Sequence, residues 1–182
     1  MFRAIVRVAT EHDAAAVAGI YAPYVRETAI SFEEIPPSPS EMGGRIRKTL
    51  STHPFLVFED AGAVVAYAYA SAHRERAAYR WSVDVAIYAM PEVHRRGVGR
   101  ALYSRLLELL GRQGFHSAYA GITLPNQNSV GLHEAMGFEH VGSYAEVGFK
   151  LGSWRDVGWW QCRITGGPPC GEPIAFPDLR ET

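Results

Sequence analysis

One turn constrains this chain more than any other feature. His94-Arg95-Arg96-Gly97-Val98-Gly99-Arg100-Ala101-Leu102 carries a strand-like stretch directly into a long helical one. Upstream, Trp81 to Tyr88 alternates in part, with Val83, Val85 and Ile87 on one face and Ser82, Asp84 and Ala86 on the other. Downstream, Leu102, Leu106, Leu109 and Leu110 recur at helical spacing within Val98 to Arg112, and Gly111 and Gly114 help to stop that helix. Glycine lets the backbone bend and approach a ligand, while the first helical amides have no acceptor inside the helix. Such amides can hold phosphate oxygens. Arg95, Arg96 and Arg100 crowd the positive end of the helix dipole, where each cation is disfavoured by roughly 0.3–1 kcal/mol. A bound polyanion removes that conflict; three solvated arginines beside a tight turn are the alternative. Spacing narrows the anion. Leu102 stands where a dinucleotide fingerprint needs its third glycine, and no Gly-Lys-Ser or Gly-Lys-Thr follows to make a P-loop.

Composition limits the partners. The chain has 182 residues, 18 Lys and Arg against 19 Asp and Glu, and 47% hydrophobic residues, which suits one domain with a real core. A formal charge of −1 supplies no basic field for nucleic acid, so an anion must be met by local charge. The apolar run Ala63 to Ala70 is far short of the roughly 20 residues that span a bilayer, so no membrane association is expected. At the start, Arg3 and Arg7 interrupt the stretch that a secretory signal would need, which predicts a cytoplasmic protein. Cys162 and Cys170 are too few for a disulfide framework and lack the paired spacing of a zinc site, so no metal is expected.

The remaining pattern is mixed. Residues 3–9 predict a strand, and Thr10-Glu11-His12-Asp13 resembles a capping box ahead of a helix whose stripe is Val17, Ile20, Tyr21 and Tyr24. Pro23 should kink that helix or end its first part. Ser38-Pro39-Ser40-Glu41 starts a second helix running to about Leu50. Phe55 to Glu59 and Val64 to Ala70, joined by Asp60-Ala61-Gly62, read as a hairpin. Further strands are predicted at 118–124, 138–149 and 157–164, with a helix from about Asn128 to Met136. The order β-α-α-β-β-β-α-β-α-β-β implies an α/β or α+β layer structure with a mixed central sheet flanked by helices. The domain is read as residues 1–165. A Pro/Gly-rich tail follows over 166–182.

Gly97 and Gly99 match the turn motif of the GNAT superfamily of N-acetyltransferases, with His94 at a position usually held by Gln or Arg. Further stretches are more specific: Ser31-Phe32-Glu33, Arg76 to Asp84, Leu124-Pro125-Asn126 with Ser129, Leu132 to Phe138, Val147 to Lys150, and Trp154 to Trp160. Over about residues 3–164 the chain resembles the phosphinothricin, methionine sulfoximine and methionine sulfone N-acetyltransferases. The resemblance implies a GNAT fold, acetyl-CoA as cosubstrate and direct acetyl transfer to the α-amine of a small amino-acid analogue. It also implies a homodimer. Cofactor contacts would come from Val85, Ile87, His94, Arg95, Arg96, Gly97, Val98, Gly99, Arg100, Ala101, Asn126 and Ser129.

Catalytic positions follow from the same resemblance. Asp84 falls where the family usually has a strand glutamate regarded as the general base, and His133 falls in the helix after Asn126. Asp84 can take the proton from the amine, directly or through a water, and His133 can deprotonate the amine or protonate the departing thiolate. Structural roles, a hydrogen-bonded strand carboxylate and a histidine at a helix edge, are the alternatives. On the substrate side, Arg74 and Arg76 can clamp a carboxylate or phosphinate. Phe32, Tyr79 and Trp81 can wall the pocket, with core packing the usual alternative for such rings. Rival readings are another small amine, a peptide terminus or a lysine as acceptor, or a catalytically impaired CoA-binding protein.

Overall fold

The computed structural model describes residues 4–179. Arg3, at the edge of the predicted first strand, and the last three residues of the tail lie outside them. Among these described residues seven strands form one mixed sheet: β1 (Ile5–Val8), β2 (Phe55–Asp60), β3 (Ala63–Ala72), β4 (Ser82–Ala89), β5 (Ser117–Leu124), β6 (Glu139–Lys150) and β7 (Ser153–Arg163). Four α-helices accompany them: α1 (Ala14–Glu27), α2 (Pro39–Leu50), α3 (Val98–Gln113) and α4 (Gln127–Ala135). The strand order is β1-β2-β3-β4-β5-β7-β6, and only β4 and β5 run parallel.

Local chemistry accounts for most of these elements. Asp13 accepts the Thr10 N–H at 2.7 Å and pairs with Arg7 of β1 at 2.8 Å, which ties the first strand to the start of α1. The Arg7 guanidinium holds the Asp13 carboxyl below its ordinary range. Ser38 and Glu41 exchange hydrogen bonds across the first turn of α2, which meets the predicted cap. Ala61 and Gly62 both take positive φ, so β2 and β3 close through a two-residue turn. Of the two outcomes expected at Pro23, an end to the helix does not occur. α1 continues through it to Glu27. Pro23 and Gly19, whose carbonyl loses its helical donor there, both lie on the exposed side, where water can serve that carbonyl.

Strand alternation divides the core between two faces. Phe55, Val57, Val64 and Tyr67 pack beneath α1 and α2 with Val17, Ile20, Val25 and Ile46. On the other face Leu56, Ala66, Ala68, Ala70, Val83, Val85, Ala118 and Ala120 meet Leu102, Tyr103, Leu106 and Leu110 of α3. Small strand residues let α3 lie close to the sheet. Each large side chain buried there contributes about 1.5–3 kcal/mol. The segment after 165 lies along this domain: Phe176 and Leu179 pack on the α3-side core, and Gln113 of α3 donates to the Ile174 carbonyl.

Candidate active site

The sheet has a gap at its parallel junction. β4 pairs with β3 from Val83 to Ala89, and β5 pairs with β7 along its whole length. Between β4 and β5, however, only Ser82, Val83 and Asp84 find partners, in Ser117, Ala118 and Tyr119. Beyond Asp84 the strands separate, and peptide groups on their facing edges lack a strand partner. Unmet backbone groups of this kind favour an extended ligand carrying amides of its own.

The gap opens onto a cleft of about 490 Å³ lined by Ile87, His94, Arg95, Gly97, Val98, Gly99, Arg100, Asn126 and Ser129, with Tyr24 and Ile30 opposite. Its floor is the start of α3. Gly97 caps that helix at φ 80°, and Arg95 also takes a positive φ, 61°. Alternating conformations of this type turn successive N–H groups toward one side. A Cβ at Gly97 would meet nothing within 4 Å, so the space over the turn is open. Gly99 has a different reason. A Cβ there would sit 2.8 Å from Leu132 Cδ2, so this glycine serves the packing of α4 on α3 rather than ligand approach. Val85 lines the narrower part of the gap with Asn126, Ser129 and His133. Arg96 and Ala101 line neither space: Arg96 pairs with Asp60 at 3.3 Å, and the Ala101 amide is already spent on Gly97.

Asn126 caps α4, its side chain accepting the Ser129 N–H at 3.2 Å. His133 is buried rather than at a helix edge, with 3% of its surface exposed. Its Nδ1 lies 2.7 Å from the Ser129 carbonyl, which can only accept, so Nδ1 carries the proton. Nε2 then accepts from the Tyr103 hydroxyl at 2.8 Å. Burial pushes the His133 pKa down, favouring the neutral ring.

Asp84 occupies the last position of β4 that pairs with β5, at the foot of the gap, and its side chain points away from the α3 face. Burial raises its pKa, opposed by a hydrogen bond from His73 and by the charges of His73 and Arg74. His73 Nδ1 stands 2.6 Å from Asp84 Oδ1. The imidazole stacks on Tyr119 at 4.5 Å and meets Trp159 and Tyr79 edge-on. Arg74 lies over the Trp159 ring at 5.7 Å, and its guanidinium donates to the His73 carbonyl. Arg76 is exposed at the start of the short turn containing Tyr79.

Trp81 is elsewhere. Its indole N–H donates to the Gly171 carbonyl and its ring lies under Arg80, so it anchors the C-terminal segment rather than walling this pocket. Its place in the alternation, with Val83 and Val85, turns it away from the Asp84 face. Phe32 covers Gly148, where any Cβ would clash with its ring. The loop carrying Phe32 is held by Lys150, whose buried ammonium donates to the carbonyls of Val25, Ser31 and Glu33 at 2.6–2.7 Å. Tyr21 and Arg45 bind Glu33 from the other side. His73, Lys150, Tyr21 and Arg45 were not singled out as site residues from the sequence. No spacing rule marks them, because their partners are distant in the chain.

A parallel strand pair splayed over an amide-lined helix start leaves room for an extended ligand that carries amides and phosphates of its own. The family described as an acetyltransferase (GNAT) domain matches residues 6–159. A phosphinothricin N-acetyltransferase of Streptomyces viridochromogenes is 39% identical over 86% of this chain and 85% of its own. An L-methionine sulfoximine/L-methionine sulfone acetyltransferase of Salmonella typhimurium is 31% identical over 87% of this chain and 94% of its own. The crystal structure of a phosphinothricin acetyltransferase from Sinorhizobium meliloti in complex with acetyl-CoA superposes with a TM-score of 0.89 at 36% identity, covering 98% of this chain and 99% of that one. The chain belongs to the GNAT acetyltransferase family and is an acetyl-CoA-dependent N-acetyltransferase.

Proposed function

We propose that the protein acetylates the α-amine of a small amino-acid analogue such as phosphinothricin, methionine sulfoximine or methionine sulfone. The observation that carries this reading is the gap between β4 and β5, which begins immediately after Asp84 and opens onto the α3 turn. The names of the relatives supply the acceptor class. Val98, Gly99 and Arg100 present free helical amides to the pyrophosphate, with His94 and Arg95 on the rim of the same cleft. Val85 and Ile87 offer backbone groups to the pantetheine amides, and a free β4 amide faces the developing oxygen charge. Asn126 and Ser129 border the thioester end.

Asp84 Oδ2 takes the proton from the attacking amine as the C–N bond forms and the C–S bond breaks. Overall, an ammonium and a thioester yield an amide, a thiol and one proton. A thiol ionises near pH 8.5 in water, so the departing sulfur leaves without a strong acid beside it. His133, with both ring nitrogens engaged, holds Tyr103 against the gap. Arg74 and Arg76 receive the acceptor carboxylate or phosphinate, with Tyr79 and Phe32 beside it. Domain boundaries at 1–165 and 166–182 and a cytoplasmic homodimer complete this reading. The exposed apolar side chains Tyr144, Val147, Phe149, Leu151 and Trp154 on the β6–β7 hairpin support self-association.

The test is thiol release from acetyl-CoA with phosphinothricin, methionine sulfoximine, methionine sulfone and a lysine-bearing peptide. Turnover is expected on at least one amino-acid analogue and not on the peptide. A preference for the peptide, or acetyl-CoA binding with every acceptor inert, overturns the reading.

A further inference from the structure

Asp84 does not stand alone. Its Oδ1 lies 2.6 Å from His73 Nδ1, and because a carboxylate only accepts, His73 donates. Among the described residues Oδ2 takes no hydrogen bond, and the aspartate side chain is 31% exposed against 12% for the histidine. The imidazole is itself held in place. Tyr119 stacks on it, Trp159 and Tyr79 close its edges, and the His73 backbone N–H binds the Ser82 carbonyl at 3.3 Å. Charged or titratable groups around the pair come from several elements: Arg74 from the preceding loop, Tyr79 from its short turn, Tyr119 from β5 and Tyr69 from β3.

We propose that His73 is a positioning residue for acetyl transfer, pinning Oδ1 through Nδ1–H so that Oδ2 is turned toward the acceptor amine. This rests on Asp84 being the base. A short aspartate has one torsion fewer than the glutamate usual at this position, and a fixed donor on one oxygen removes most of the remaining freedom. Orientation of a catalytic group by a packed neighbour is a standard source of rate. The hydrogen bond also opposes the effect of burial on the carboxyl group, so the base stays ionised to lower pH.

Two substitutions separate this role from packing. His73→Phe keeps a ring against Tyr119 but removes the donor, whereas His73→Asn places an amide N–H near the position of Nδ1 and cannot titrate. With the best acceptor of the panel above, His73→Phe is expected to lower kcat by about tenfold or more. KM for acetyl-CoA should stay unchanged, and the acid limb of kcat/KM should move to higher pH. His73→Asn should recover most of kcat and return the acid limb toward that of the parent enzyme. A His73→Phe enzyme with the parent rate and profile overturns the proposal, and so does a His73→Asn enzyme no better than His73→Phe. Asp84→Asn run alongside distinguishes the failures. If that variant stays active, the base assignment falls; if it is inactive while His73→Phe behaves as the parent, only the role of His73 falls.

Discussion

The two halves of the site are built from different materials. On the side proposed for the cofactor, one continuous segment, the end of β4 and the turn into α3, presents backbone amides, and the side chains at the turn are mostly exposed. On the side proposed for the acceptor, the groups are side chains from β4, β5, β7 and two loops, each held by another side chain: Asp84 by His73, His73 by Tyr119, and the Phe32 loop by Lys150. The contrast teaches where each half can fail. A backbone site tolerates replacement of its side chains while φ and the helix start survive. A side-chain site is lost when a distant partner is lost.

The largest expected effect tests the boundary between the halves. Asp84→Asn should lower kcat by about 10²- to 10⁴-fold while acetyl-CoA affinity, read by calorimetry, stays at the parent value; weakened cofactor binding would merge the two halves. Next, Lys150→Met strips the donor from three carbonyls. It should destabilise the protein by about 1–3 kcal/mol and raise the acceptor KM in the fraction that folds, with acetyl-CoA affinity unchanged. Gly97→Val should act on the opposite half. Forcing a β-branched residue to φ 80° costs about 1–2 kcal/mol. Acetyl-CoA KM is expected to rise roughly tenfold, with a smaller change in acceptor KM.

The smallest effect is a pH dependence of folding. His133 is held below its ordinary pKa of 6.5 by burial. As pH falls below that value the unfolded chain takes up a proton that the folded one refuses, so stability is full above it and is lost on acidification. The contribution cannot exceed about 1.4 kcal/mol per pH unit. Urea unfolding near pH 7.5 and pH 5.5, compared between the parent and His133→Phe, should give the variant the shallower slope; equal slopes would remove His133 from the account.

Legibility follows the same division. Leucine spacing and terminal glycines marked α3, the Ser38 cap marked α2, and Ala61 and Gly62 marked a hairpin, because each signal lies within a few residues of the structure it causes. The places of Asp84 on its strand, Gly97 at the turn and Asn126 at the start of α4 follow for the same reason, while their proposed roles rest on resemblance. Trp81 was misplaced as a pocket wall because its partner, Gly171, lies 90 residues away. At Pro23, where the sequence predicts a kink or an end, α1 does not end, because the missing donor costs little on an exposed helix face. His73 carried no signal at all, since a histidine in an arginine-rich loop gains meaning only from the carboxylate that folds against it.

By itself, then, the order of the residues determined the elements, their caps, the amide-bearing turn and the face on which Asp84 stands, all consequences of short-range backbone geometry and side-chain periodicity. Tertiary structure alone decided that β4 and β5 part after Asp84, that His133 is buried against Tyr103, that Lys150 fastens the Phe32 loop, and that His73 meets Asp84. Those are contacts between residues 11 to 125 positions apart. No local propensity encodes them, because their free energy exists only once the sheet has brought the partners together.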